Sequence, residues 1–132
     1  QLKARMEQHL LETRSQRERL ERCLARRGTS PSAMKDVAAR FMGMMQAVTG
    51  AAVGDEVVKG LLASYTFEHM EIASYQILIA AAEAAGDTET ARVCEEICRE
   101  EEAMAGWLAE AIPGITRAHL ARAEAKLEEA KR

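Results

Sequence analysis

A turn signal at Gly86-Asp87-Thr88, lying between two long helical patterns, sets the strongest limit on the fold of this chain. Glycine is the usual residue just past the end of a helix, and Asp or Thr commonly caps the start of the next one. Residues 55–85, before the turn, are apolar on nearly every face, which is typical of a helix buried on several sides. The pattern predicts an antiparallel hairpin of two helices.

Composition and further periodic segments extend this prediction to an all-α fold. The 132 residues can form one domain with a core of its own, and only 4% of them are aromatic and two are Pro. Apolar residues at three- and four-residue steps predict a helix over residues 2–24, which Gly28 ends, and a second over residues 31–48. We expect an antiparallel helical bundle.

The segment after the turn predicts a helix over residues 88–112 that Pro113-Gly114 stops. Residues 113–132 then form a separate helix, capped by Thr116, that is either a surface helix or a docking arm. We therefore predict a helical bundle over residues 1–112 and a C-terminal helical extension over residues 113–132.

Charge and hydropathy exclude some partners. A net charge of −3 gives no concentrated positive field for nucleic acid or an anionic membrane. No apolar run is long enough to span a bilayer, and nothing resembles a signal peptide. The three cysteines form no spaced framework. We expect a cytoplasmic protein that binds neither nucleic acid nor membrane.

Several polar residues fall on or beside the apolar stripes of the predicted helices. Glu71 lies fourteen positions before Ala85 and Glu101 thirteen positions after Thr88, so an antiparallel hairpin places them at nearly one level. Glu68 is about one turn further along. The polar residues concerned are His9, Glu12 and Gln16 in the first helix, Glu68 and Glu71 before the turn, and Glu101 after it.

Two interpretations of this acidic cluster are open. Several carboxylates buried close together cannot all stay ionised without compensation, and a cation would provide it. Oxygen ligands with one imidazole suit iron or manganese, and bundles build di-metal sites from inward-pointing Glu and His residues. Alternatively, the groups pair with Arg or Tyr or stay protonated, as a structural polar layer.

Other candidate sites are weaker. Cys94 and Cys98 are one helical turn apart, but small core residues are the better interpretation because no CxxC motif or Cys/His cluster accompanies them. His69 points off the apolar stripe. Residues 42–45 contain three methionines, which indicate core filler or a surface facing a partner.

The motifs on these helices resemble the YciE/YciF-type ferritin-like stress-response proteins of bacteria. The resemblance covers residues 1 to about 112 and rests on three stretches. These are EQHLLETRSQRERLE in the first helix, EHMEIASYQILIAAAEAAGD before the turn and CREEEAMAGWLAE after it.

The resemblance implies a ferritin-like bundle, usually dimeric, with a carboxylate-rich metal site and a role under stress whose reaction is not established. The family normally begins with a further helix carrying an acidic residue that faces the metals. No such helix precedes Gln1, so we expect a chain that lacks it by truncation or processing. The family also tends to have Asp where this chain has Ala105. A partner chain could supply the missing helix face.

The leading hypothesis is a bundle that binds one or two iron or manganese ions and forms a homodimer or higher homo-oligomer. The predicted ligands are His9, Glu12, Glu68, Glu71 and Glu101. The first alternative is a structural or protein-interaction bundle without metal, and the second is thiol redox signalling through Cys94 and Cys98.

Overall fold

The computed structural model describes residues 2–29 and 56–130. This part of the chain forms three α-helices: α1 spans Leu2–Arg26, α2 spans Glu56–Ala84 and α3 spans Thr88–Glu129. The all-helical prediction is confirmed for these residues. The helix predicted over residues 31–48, with its methionines, lies outside the described residues.

Glycine ends both helices that precede a turn. Gly28 and Gly86 adopt φ values of +67° and +68°, a left-handed conformation in which a Cβ is strained. Asp87 then caps α3, because its carboxylate accepts a hydrogen bond from the backbone N–H of Thr90 at 3.0 Å. The predicted α2–α3 hairpin is therefore confirmed.

In residues 2–29 and 56–130, the core consists of two apolar clusters with a polar layer between them. α3 lies at the centre and packs against both α1 and α2. The polar layer is formed by Gln16, Glu68 and Glu101, which are 3%, 2% and 0% exposed. The cluster nearer the hairpin turn contains Cys23, Tyr75, Val93, Cys94, Ile97 and Cys98, and the other contains Leu61, Met104 and Leu108.

The predicted end of the helix at Pro113 is wrong, because α3 continues through Pro113 and Gly114 to Glu129. Ile112 and Ile115 pack against the cluster around Leu61, and this contact favours the helix across the proline. Thr116 does not cap a new helix, since its hydroxyl donates to the Ile112 carbonyl within α3 at 2.8 Å. The division into two domains at residue 112 stays a prediction.

The Pro113→Ala substitution is expected to stabilise the protein. Proline inside a helix lacks the N–H donor and crowds the preceding turn, at a cost of roughly 3 kcal/mol relative to alanine. We expect the free energy of unfolding in urea to rise by about 1–3 kcal/mol. Gly114→Ala is the matched control. Because a Cβ at this position meets no atom within 4 Å, we expect its free energy of unfolding to rise by about 0.5–1 kcal/mol. No gain from Pro113→Ala would contradict a continuous α3.

The expectation that α2 is buried on several sides is wrong for its outer face. Leu62 and Ile77, about four turns apart on this face, are 63% and 69% exposed. The apolar pattern alone could not distinguish a face covered by the same chain from one left open. We name Leu62 and Ile77, with the exposed Ala73 between them, the outer α2 face.

Candidate metal centre

One residue from each described helix meets in the polar layer. His9 projects from α1, Glu68 from α2 and Glu101 from α3, with His9 partly buried and the two carboxylates buried. Each can offer one ligand atom such that all three atoms lie within 4.8 Å of one another. The packing of the three helices therefore brings one imidazole and two carboxylates close together.

The separations of these groups fit a shared cation. His9 Nε2 lies 3.3 Å from Glu68 Oε1 and 3.9 Å from Glu101 Oε2. Two ligands bound at about 2.1 Å to one ion are at most about 4.2 Å apart, so only small side-chain adjustments are required. An imidazole with two carboxylates is a donor set suited to iron or manganese.

Two buried carboxylate oxygens at this point accept no hydrogen bond from any N–H or hydroxyl group of the described residues. They are Glu68 Oε2 and Glu101 Oε2, both inaccessible to solvent. Buried polar atoms are nearly always paired, and an unpaired carboxylate oxygen is especially costly. The two oxygens are therefore suited to bind a proton or a metal ion.

His9 carries a positive charge at neutral pH in the metal-free protein. The hydrogen bond to Glu68 outweighs the effect of burial and raises the pKa of His9 to about 9. For Glu68, burial opposes ionisation, but hydrogen bonds with His9 and Glu101 outweigh it and lower the pKa. The pair is therefore an imidazolium and a carboxylate.

Two further acids, the buried Glu101 and the partly buried Glu71, hold their protons more tightly than usual. Burial, followed by the interaction with Glu68, raises the pKa of Glu101 to about 8. Burial and the charge of Glu68 likewise raise the pKa of Glu71 to about 7. A cation bound here would have to displace the proton of Glu101.

A second polar network fixes the orientation of Glu101. The side-chain amide of Gln16 donates to Glu101 Oε1 and, at 3.0 Å, to Glu100 Oε2. Glu100 Oε2 also accepts from the guanidinium of Arg19. Because Oε1 is held by Gln16, the other oxygen of Glu101 faces His9. The spacing of Gln16 and Arg19 by three residues on α1 is the sequence signal for this network.

Glu12, a predicted ligand, has both of its carboxylate oxygens engaged by neighbours on α1. Oε1 accepts from Gln8 Nε2 at 2.9 Å, and Oε2 lies 3.1 Å from Arg5 Nη1 and 3.3 Å from His9 Nδ1. The sequence interpretation did not include Arg5. It lies four positions before His9 and seven before Glu12, the spacing of a single helix face, which would have indicated it.

Glu71, the remaining predicted ligand, lies beside the cluster of three and is not part of it. Three residues turn a helix by about 300°, so Glu71 points roughly 60° away from the direction of Glu68. It is partly buried and interacts with Glu68 through its charge. His69 is exposed and its ring contacts that of Tyr65 edge-on, which confirms that His69 turns away from the stripe.

The fold and the site together define a class: a helical-bundle protein with a buried carboxylate–imidazole cluster that could hold a metal ion. The sequence profile of DUF892, described as a domain of unknown function, matches residues 1–121. The chain therefore belongs to the DUF892 family.

A solved structure supports the same fold. A protein from Xanthomonas campestris pv. campestris, whose crystal structure is known, is 39% identical in sequence to this chain. The two structures superimpose with a TM-score of 0.76. The match covers 94% of this chain and 75% of that one. Within the described residues, none of the three helices combines the length and hydropathy needed to cross a bilayer.

Proposed function

We propose that this protein binds iron or manganese through His9, Glu68 and Glu101. The observation that carries the proposal is a pair of buried oxygens, one of Glu68 and one of Glu101, that accept no hydrogen bond from an N–H or hydroxyl group of the described residues. The imidazole of His9 lies beside these two carboxylates. The two carboxylates lie on different helices, α2 and α3, so the packing of the bundle places them together before any ion binds. A bound cation would satisfy both oxygens at once.

The residues of this chain would control the ion in defined ways. The Glu12 carboxylate holds His9 Nδ1, leaving Nε2 directed at the two acids, an arrangement that orients metal-binding histidines in many proteins. Gln16 holds one oxygen of Glu101 and so directs the other. A redox-active ion bound here would supply electron transfer to oxygen or peroxide, while the apolar clusters on either side limit access of water. Sequestration of the ion is the simpler outcome.

The biological setting is proposed from the resemblance to the YciE/YciF-type proteins. We place the protein in the cytoplasm, in a ferritin-like bundle that acts in the response to stress. The motifs EHMEIASY and CREEEAMAGW support this assignment, since they contain Glu68 and Glu101 of the buried cluster.

Self-association is part of the same proposal. The outer α2 face exposes Leu62 and Ile77, and burial of such apolar area in a second copy would be favourable. We expect sedimentation equilibrium to give the mass of a homodimer or a larger homo-oligomer. A monomer at micromolar concentration would contradict this part of the proposal.

A matched pair of histidine variants tests the metal proposal. The metal-stripped protein is titrated with Mn²⁺ and, without oxygen, with Fe²⁺, by calorimetry. We expect near-stoichiometric binding to the wild type and to His69→Ala, because His69 is exposed and outside the cluster. His9→Ala is expected to weaken binding at least about 100-fold, since it removes a ligand. Equal affinities of the two variants would exclude the site at His9.

A structural role without metal is the second candidate, and one observation favours it. At neutral pH the charged His9 lies between the carboxylates of Glu12 and Glu68, the guanidinium of Arg5 is 3.1 Å from Glu12, and Glu101 is protonated. The layer is therefore close to balanced in charge without an ion. This candidate predicts that the wild type binds neither metal. It also predicts that His9→Ala destabilises the protein, because the Glu68 carboxylate loses its partner.

Thiol redox signalling is disfavoured by the positions of the cysteines. Cys94 and Cys98 are 1% and 6% exposed, and burial raises the pKa values of both thiols, that of Cys94 to about 11. Because the thiolate is the reactive form, we expect native labelling with a disulfide reagent to be much slower than labelling in urea. Equal rates would revive the thiol hypothesis.

A further inference from the structure

We propose that the guanidinium of Arg5 takes the place of a second metal ion, so that the cluster binds one ion per chain. The inference rests on the proposed metal-binding function and decides between the one and two ions that the sequence pattern allows. Arg5 is mostly buried, with 15% of its side chain exposed, and it lies beside the cluster on α1.

The carboxylate oxygens of Glu12 differ from those of Glu68 and Glu101 in their hydrogen bonds. Glu68 and Glu101 each have one buried oxygen that accepts no hydrogen bond from an N–H or hydroxyl group in the part of the chain that the structure describes. Both oxygens of Glu12 already accept hydrogen bonds, and the guanidinium of Arg5 is 3.1 Å from one of them. Glu12 can therefore offer an oxygen to an ion only if Arg5 or the exposed Gln8 moves away, and the oxygen that faces His9 is the one held by Arg5.

The charge of Arg5 also disfavours a metal ion at Glu12. A dication bound to Glu12 would lie within a few ångströms of the permanently charged Arg5, in a partly buried site where like charges repel strongly. Arg5 therefore supplies the positive charge that Glu12 would otherwise take from a metal.

The ligands that the described residues offer also favour a single ion. A di-metal site in a helical bundle uses about four carboxylates and two histidines. With Glu12 held by Arg5, the cluster in the described residues retains His9, Glu68 and Glu101, with Glu71 beside them. Within the described residues, this set suits one ion with open positions for water or substrate.

The proposal is tested by the stoichiometry of Mn²⁺ bound to the metal-stripped full chain, measured by calorimetry and by electron paramagnetic resonance of free Mn²⁺. We expect one ion in the wild type and in Arg5→Lys, which keeps the charge. Arg5→Met keeps an apolar stem of similar length but frees Glu12, and we expect a second, weaker ion. Adding Glu12→Gln to Arg5→Met should restore one ion.

Each result separates the inference from the metal proposal. Two ions in the wild type, or one ion in a folded Arg5→Met, would overturn the role of Arg5 while metal binding stands. No ion in the wild type would overturn the metal proposal, and the inference with it. Should Arg5→Met not fold, Glu12→Gln in the wild type decides. Retention of the single ion, with an affinity up to about 100-fold weaker because the carboxylate that holds His9 Nδ1 is gone, supports the proposal. Complete loss of the ion overturns it.

Discussion

Replacement of Glu101 by Gln is expected to abolish metal binding and, at pH 8–9, to raise the melting temperature of the metal-free protein. Gln keeps the size of the side chain and its acceptor for Gln16, but it removes an acid whose pKa is raised to about 8 by burial and by Glu68. Above that pH, ionised Glu101 costs folding free energy that a neutral amide does not. We expect at least a 100-fold loss of Mn²⁺ affinity, which is about 2.7 kcal/mol.

The matched control is Glu102→Gln, one position along α3, where the side chain is exposed. It makes the same chemical change outside the cluster, so both metal affinity and melting temperature should stay close to those of the wild type. Thermal unfolding followed by circular dichroism and calorimetric titration provide the two readouts. If Glu101→Gln bound Mn²⁺ as tightly as Glu102→Gln did, Glu101 would not be a ligand.

Raising the pH from 6 to 9 is expected to destabilise the metal-free protein and, over the same range, to tighten metal binding. The pKa of His9 is raised from 6.5 to about 9, so the stability that it contributes is complete below pH 6.5 and is lost towards pH 9. The raised pKa values of Glu71 and Glu101, about 7 and about 8, act in the same direction, because the folded state keeps protons that the unfolded state has released. The lowered pKa of Glu68 has its effect below pH 4.5 and does not change this window.

Metal binding has the opposite dependence on pH because the ion competes with protons for His9 and Glu101. We expect the melting temperature of the metal-free protein to fall by about 5 °C or more between pH 6 and 9. At pH 7, calorimetry in buffers of different ionisation enthalpy should show the release of roughly two protons per ion. A flat stability profile, or binding without proton release, would contradict the charge states assigned here.

Much of the fold was predictable because its signals are local. Gly28, Gly86 and Asp87 mark helix ends through backbone conformation and capping, which depend on a few neighbouring residues. The burial of Glu68 and Glu101 followed from their positions on the apolar stripes of helices whose spacing was clear. The prediction that Pro113 ends the helix was wrong because packing outweighs the local preference of proline to end a helix. Ile112 and Ile115 pack against a cluster that includes Leu61 of α2, a contact that the local sequence does not show.

The site was predicted less completely because its details depend on side-chain direction and on contacts between helices. Counting residues from the turn gave the level of Glu71 and Glu101, but direction around the helix decides that Glu68 is the nearer partner. Whether Glu12 is available depends on Arg5, and a sequence pattern does not show which of several neighbours an acid will pair with. The ligand set therefore stays a prediction that metal measurements must decide.

The most direct test of metal binding is the metal content of the full chain purified without added metal, measured by mass spectrometry of the elements. We expect close to one iron or manganese per wild-type chain and a large loss in Glu101→Gln. Neither metal near stoichiometric level, together with no binding of Mn²⁺ or Fe²⁺ to the stripped protein, would contradict it and leave the buried cluster as a structural layer.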